Sequence, residues 1–193
     1  MAKLFKPKMP KIGVEGHWSS MKFSENILQD ALIRHVLGLT YLQMADIGEV
    51  FEITEKFKSG TEWIDAWSQM AITLEKRADE SNSNATKESA YLRASTYWRV
   101  SLMYFNSTDD ERLAEYSQNS LDCYHKYLEV SDIDATYVEL PYENTFMPAH
   151  FYKSPATGDN APLMILTPGR DTFAEDTAWI YRQALKRGIH CLV

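Results

Sequence analysis

The chain has 193 residues, enough for one large or two small domains, and its 45% hydrophobic content is ordinary for a globular core. A formal net charge of −7 argues against nonspecific nucleic-acid binding, which needs clustered Lys and Arg to meet phosphates. No run approaches the ~20 apolar residues of a membrane span, so no membrane partner is expected either.

Residues 1–24 read as an irregular lead-in punctuated by Pro, Gly and Lys. Lys3, Lys6, Lys8 and Lys11, spaced by Pro7 and Pro10, suit a solvated arm more than a binding tail, and the segment lacks the apolar stretch of a secretory signal. From Asn26 to Asp46 apolar residues recur at helical spacing: Ile27, Leu28, Ala31, Leu32, Val36, Leu39 and Leu42. A short helix is expected over Glu49–Phe57, closed by Ser59-Gly60. Three longer helices are predicted after it, over Thr61–Asp79, Ala85–Phe105 and Asp110–Val130. Trp63, Ile64, Trp67, Met70, Ala71 and Leu74 make the inward face of the first. The second carries Ala90, Ala94, Tyr97, Trp98, Ser101 and Leu102, a stripe of small and aromatic residues. No period of about 34 residues returns, so a helical solenoid is not indicated.

The pattern changes near residue 132. Tyr137–Leu140 and Phe146–Tyr152 read as strands around a Glu143-Asn144-Thr145 turn. After a Pro/Gly/Asp loop, Leu163–Leu166 reads as a short buried strand and Thr167-Pro168-Gly169-Arg170-Asp171 as a turn. Thr172 and Glu175 have capping-box spacing, Gly188 is placed to end the helix, and Ile189–Val193 restarts an apolar run. That is a βαβ unit, which implies a parallel pair and a right-handed crossover.

The loop Thr167–Asp171 is the strongest site candidate. Loops at the carboxyl ends of parallel strands face the ligand crevice of open α/β sheets, and amides backed by a helix start can hold an anion. Pro168 has no N–H, so the amides of Gly169 and Arg170 are the donors. A tight strand-to-helix turn without a ligand fits the same spacing. With one glycine the loop is not a GxGxxG phosphate cradle. His17, His35, His125, His150 and His190 stand in no HExxH motif or nucleophile signature and read as packing residues. No Cys/His spacing suggests a metal, and no cofactor is expected. Cys123 and Cys191 are expected as free buried thiols of a cytoplasmic protein. No GxSxG elbow occurs, and no serine follows Ser154.

The order of parts resembles α/β-hydrolases with an N-terminal helical cap, the group around 2,6-dihydroxypseudooxynicotine hydrolase and the FrsA-like esterases. "KESAYLRASTYWRVSLMYF" followed by "DDERLAEYSQNSLDCYHKYL" is similar to the cap helices. "YVELPYENTFMPAHFYKSP" is similar to the opening hairpin, and "PLMILTPGRDTFAEDTAWIYRQALKRGIHCLV" to the strand, oxyanion loop, helix and next strand. The resemblance implies an α+β chain: a lead-in over 1–24, an all-α cap over 25–131, and an incomplete α/β-hydrolase core over 132–193 made of a hairpin and a βαβ unit. The sheet is then truncated, and the chain reads as the front portion of a serine-type hydrolase cleaving an ester, amide or C–C bond of a small molecule.

Where that family carries His-Gly-Gly-x-Asp, this loop has Thr167 and Pro168, with Gly169 and Asp171 matching. The resemblance therefore implies an oxyanion donor at the Gly169 or Arg170 amide, with Asp171 structuring the loop and Arg170 a candidate for a substrate carboxylate. Tyr97, Trp98, Tyr104 and Tyr124 are its candidate substrate-binding residues. The elbow serine, the acid and the histidine would lie beyond this sequence, so the chain alone is expected to be inactive. A homo-oligomer formed through the unfinished sheet is also expected. The competing reading is a noncatalytic helical interaction or regulatory protein.

Overall fold

The first helix, α1 (Ile27–Leu39), starts where Asn26 accepts hydrogen bonds from the amides of Leu28 and Gln29, at 2.9 and 3.2 Å. Asp30 in its first turn takes the Phe23 amide at 2.6 Å and pairs with Arg34 at 2.8 Å. The helix does not run to Asp46 as its periodicity predicts. It tightens into a 3₁₀ turn over Thr40–Leu42, and Gln43 adopts a left-handed φ of 62°. Asp46 then begins α2 (Ile47–Lys58), accepting from the amides of Gly48 and Glu49 at 2.8 and 3.2 Å. A short polar side chain that satisfies free helix-start amides outcompetes helical continuation there. The computed structural model describes residues 22–58, 60–104, 109–156, 158, 160–169 and 172–193; most of the predicted lead-in lies outside them.

Helices α3 (Trp63–Asp79), α4 (Asn84–Ser101) and α5 (Arg112–Val130) pack in sequence, with α4 between its neighbours. Trp63, Ala66, Trp67, Met70, Ala71, Leu74 and Ala78 form the buried stripe of α3. Helix α4 is buried almost all round from Ala90 to Ser101, as a helix covered on opposite faces must be. Its small residues let α5 approach closely: Ser120 Oγ donates to the Ser95 carbonyl at 2.9 Å. Across the other face, Trp67 sits 5.5 Å from Tyr97 and 5.4 Å from Trp63 between ring centroids. Trp63 donates its indole N–H to the Val100 carbonyl at 2.9 Å.

Strands β1 (Asp134–Tyr142) and β2 (Thr145–Lys153) form an antiparallel hairpin running from Asp134↔Lys153 to Tyr142↔Thr145. Its tight turn is Glu143-Asn144, with Glu143 at φ 49°. Strand β3 (Leu163–Ile165) pairs parallel with β4 (His190–Leu192) through the crossover helix α6 (Ala178–Leu185). β4 also pairs antiparallel with β2, so the order is β1-β2-β4-β3. The α+β arrangement expected from sequence is thus observed, with six α-helices and a mixed four-stranded sheet among the described residues. Gly188 ends the crossover at φ 79° as expected.

Two local readings are corrected. β3 is not buried: it is the edge of this sheet, leaving Leu163 50% and Ile165 67% exposed. Nor do Thr172 and Glu175 form the capping box. Asp176 caps instead, accepting the Phe173 amide at 2.9 Å, while Thr172 donates its hydroxyl back to the Gly169 carbonyl at 2.8 Å. The helical start therefore shifts by one residue and opens as a 3₁₀ turn over Ala174–Thr177.

Helices meet sheet at a layer of aromatic and polar rings. The Tyr124 hydroxyl from α5 lies 2.7 Å from those of both Tyr152 on β2 and Tyr181 on α6. Tyr152 and Tyr181 stack with centroids 3.9 Å apart. Burial raises the pKa of all three phenols and keeps them protonated. Beside them, His125 Nε2 and His150 Nε2 are 3.2 Å apart, so one nitrogen donates to the other. Burial, then the charge of His125, lowers the pKa of His150 from 6.5 to about 4.

Two tests follow from this packing. Trp67→Ala should cost about 3–5 kcal/mol in denaturant unfolding, because it empties the centre of the α3–α4 interface; a loss below ~1 kcal/mol would contradict the packing described. His150 binds its proton more weakly folded than unfolded, so its contribution is complete above pH 6.5 and is lost as pH falls towards 4. Wild type should lose on the order of 2 kcal/mol across that window. His150→Phe should flatten that part of the stability profile; an unchanged slope would assign it to other groups.

Candidate active site

The loop after β3 is built by the sheet it leaves. Leu166 donates its amide to the Leu192 carbonyl at 2.8 Å, so pairing continues one residue past the strand. Thr167, Pro168 and Gly169 are then exposed. The Gly169 carbonyl is taken up by Thr172, whose amide and hydroxyl approach at 3.1 and 2.8 Å. Among the described residues the Gly169 N–H has no hydrogen-bond partner. A methyl group at Gly169 would meet only Thr172 Oγ1, at 3.5 Å, an ordinary contact. Arg170 and Asp171 lie outside the described residues.

Past the loop, the chain returns to the helices through an ion pair. Arg99 on α4 places Nε 2.7 Å from Asp176 Oδ2 and lies over the Phe173 ring at 5.2 Å. Asp176 is the same carboxylate that caps Phe173, so one group fixes both the helix start and its position against α4. The neighbouring Glu175 has a raised pKa, mainly from burial and with the Asp176 charge adding to it, against a backbone hydrogen bond and the Arg99 charge. A cleft of about 480 Å³ opens here, walled by Leu28, Leu32, Leu102, Met103, Leu113 and Phe173, with Arg99 among its lining. It lies between the helical region and the end of the candidate oxyanion loop. A second cleft, of about 390 Å³, is lined by polar groups including Asp46, Glu88, Arg93 and Arg182.

The four aromatic candidates are not gathered on one wall. Tyr97 is buried and donates to Glu49 Oε2 at 2.8 Å while accepting the Asp46 amide at 2.9 Å. Trp98 is buried against Tyr116, with centroids 4.7 Å apart. Tyr124 belongs to the buried tyrosine layer. Tyr104 is half-buried, accepts a hydrogen bond from Asn26 at 2.7 Å, and follows Leu102 and Met103 in the chain. The sequence reading missed Arg99 and Asp176. The available signal was an arginine inside an otherwise apolar helix, since a buried charge requires a partner.

Among the described residues there is no group of three or more His, Cys, Asp or Glu able to hold a metal ion. Nor is any helix there long and apolar enough to cross a membrane. No family model matches the chain. Curated relatives do. The alpha/beta hydrolase xenA of Xenoacremonium sinensis is 28% identical over 171 residues, covering 82% of this chain and 39% of the relative. The alpha/beta hydrolase pydG of an Acremonium species is 26% identical with the same coverage. Among solved structures, 2,6-dihydroxy-pseudo-oxynicotine hydrolase superposes with a TM-score of 0.67 at 19% identity, covering 81% of this chain and 44% of that one. AbyA5 superposes with a TM-score of 0.58 at 16% identity, covering 87% and 44%. The chain thus spans about two fifths of the length of the curated relatives it matches. Matches to hydrolases disfavour the reading of a noncatalytic interaction protein. With the helices, hairpin and parallel pair in the expected order, the chain is similar to the N-terminal portion of alpha/beta hydrolases.

Proposed function

We propose that this chain supplies the substrate-covering helices and the oxyanion loop of a serine-type hydrolase that attacks the carbonyl of a small-molecule ester, amide or activated C–C bond. The carrying observation is the exposed loop at the carboxyl end of β3, where the Gly169 amide is undonated and the apolar cleft adjoins Phe173. In this reading residues 25–131 form the cap and 132–193 begin the catalytic sheet. The Gly169 or Arg170 amide stabilises the oxyanion as charge develops on the carbonyl oxygen, and Asp171 shapes the loop. Arg170 is a candidate contact for a substrate carboxylate. Tyr104, half-buried and next in the chain to Leu102 and Met103, is the aromatic residue kept as a candidate substrate contact, while Tyr97, Trp98 and Tyr124 are buried in separate packing networks. The nucleophilic serine, its base and the acid belong to the part of the fold that the matched segment does not span. Two buried free thiols, Cys123 and Cys191, fit a reducing cytoplasm.

The test compares this 193-residue chain with the protein extended through its downstream coding sequence. The chain alone should neither turn over a p-nitrophenyl ester nor take up a serine-directed phosphonate. The extended protein should do both. There, Gly169→Pro removes the donor and should lower kcat about 10²–10³-fold, whereas Gly169→Ala keeps the amide and should stay near wild type. A folded Gly169→Pro enzyme with undiminished kcat would move the role to Arg170; an inactive extended protein would sink the reading.

The exposed edge of β3 is also a place for self-association. In light scattering the 193-residue chain should exceed monomer mass as concentration rises, and Ile165→Lys should return it towards monomer. A wild-type monomer at high concentration would remove the homo-oligomer proposal.

A further inference from the structure

Two imidazoles from different elements meet where the last helix of the helical region packs on the hairpin. His125 Nε2 on α5 and His150 Nε2 on β2 are 3.2 Å apart, with ring centroids at 5.3 Å and 59° between the planes. One nitrogen donates to the other, but the same spacing suits a second arrangement. Zn–N bonds are ~2.0–2.1 Å long, so two nitrogens on one tetrahedral ion stand roughly 3.3 Å apart. The two rings can therefore share an ion with small rotations.

Regular structure holds both rings in place. The backbone of His150 exchanges hydrogen bonds with Val193 at 2.9 and 3.0 Å. Tyr124, next to His125, pairs its hydroxyl at 2.7 Å with Tyr152, which shares a face of β2 with His150. Coordination then orders little that is not already ordered. Neither Nδ1 has a hydrogen-bond partner among the described residues. The N–H between the rings can move to the Nδ1 of its own ring, which frees both Nε2 lone pairs and releases no net proton.

The surroundings admit a cation and water. His125 is half-buried, and Tyr137, 50% exposed on β1, meets His150 edge-on at 5.6 Å. Lys126, adjacent to His125 in the chain, is paired with Asp79 at 3.6 Å and lies over the Tyr91 ring. Exposed Asp122 and Glu129 stand one helical turn to either side of His125, and exposed Glu139 shares a face of β1 with Tyr137. These carboxylates favour a cation nearby. With only two protein ligands, water fills the remaining positions and binding is reversible.

We propose that His125 and His150 form a two-imidazole site for a late divalent transition ion of the zinc type, which clamps α5 to β2. The inference is independent of the hydrolase reading, and its test needs no catalysis.

The 193-residue chain is titrated with ZnCl₂ by calorimetry, and its thermal melting is followed with and without the ion. Wild type should bind Zn²⁺ at one saturable site, and its Tm should rise with Zn²⁺ concentration. Mg²⁺, which prefers oxygen ligands, should not raise it. His125→Gln and His150→Gln should each weaken Zn²⁺ binding about tenfold or more, since even lost outer-sphere partners cost 10–100-fold. His35→Gln, at an exposed histidine on α1, should bind as wild type does. If either pair variant does not fold, Cu²⁺ bound to wild type reads the site directly: electron spin-echo spectroscopy should count two equatorial imidazoles. Any of four results overturns the proposal: no saturable Zn²⁺ binding, unchanged affinity in a folded His125 or His150 variant, fewer than two imidazoles on Cu²⁺, or an equal Tm rise with Mg²⁺.

Discussion

One buried hydroxyl holds the two halves of this chain together. Tyr124 projects from the last helix of the helical region and meets Tyr152 of the sheet and Tyr181 of the crossover helix at the same oxygen. A phenol can donate one hydrogen bond and accept another, so the Tyr124 hydroxyl can pair with both neighbours at once. Pairing their hydroxyls lowers the cost of burying the polar ends of these rings. The tyrosine layer therefore sets where the sheet sits against α5, and hence where the loop after β3 emerges.

A second polar contact does the same on the other side of α4. The Arg99–Asp176 pair crosses from the helices to the first turn of the crossover, and Asp176 also caps that turn. Buried ion pairs are poor sources of net stability, since desolvating two charges offsets most of their attraction. What the pair contributes is placement: removing either partner strands a charge in an apolar wall.

The candidate site is divided along the chain in the same way. Residues 163–169 carry the exposed loop, whose Gly169 amide has no partner among the described residues, whereas the cleft that reaches Phe173 is walled mainly by side chains from 28–113. In the proposed reading, the helical layer would cover a reacting carbonyl, exclude water and strengthen each dipole aimed at it. The exposed Leu163 and Ile165 make the edge strand a surface that further pairing would cover.

Much of this was legible in the sequence, for reasons that can be named. The α3 stripe of Trp63, Trp67, Met70 and Leu74 obeys a period that only a helix satisfies, and the turn at Glu143-Asn144 and the stop at Gly188 are local backbone requirements. The Gly169 loop could be located because it lies between a strand signal and a helix signal. Local patterns also misled: Asp46 and Asp176 took caps that periodicity or spacing had assigned to helix or to Thr172, because short carboxylates compete for the same amides. Besides the exposed edge position of β3, the convergence of Tyr124 with Tyr152 and Tyr181, the His125–His150 contact and the pairing of Arg99 with Asp176 were decided only by tertiary structure. Each joins residues 25 to 77 positions apart, and linear spacing carries no information about which distant side chains will share a buried polar partner.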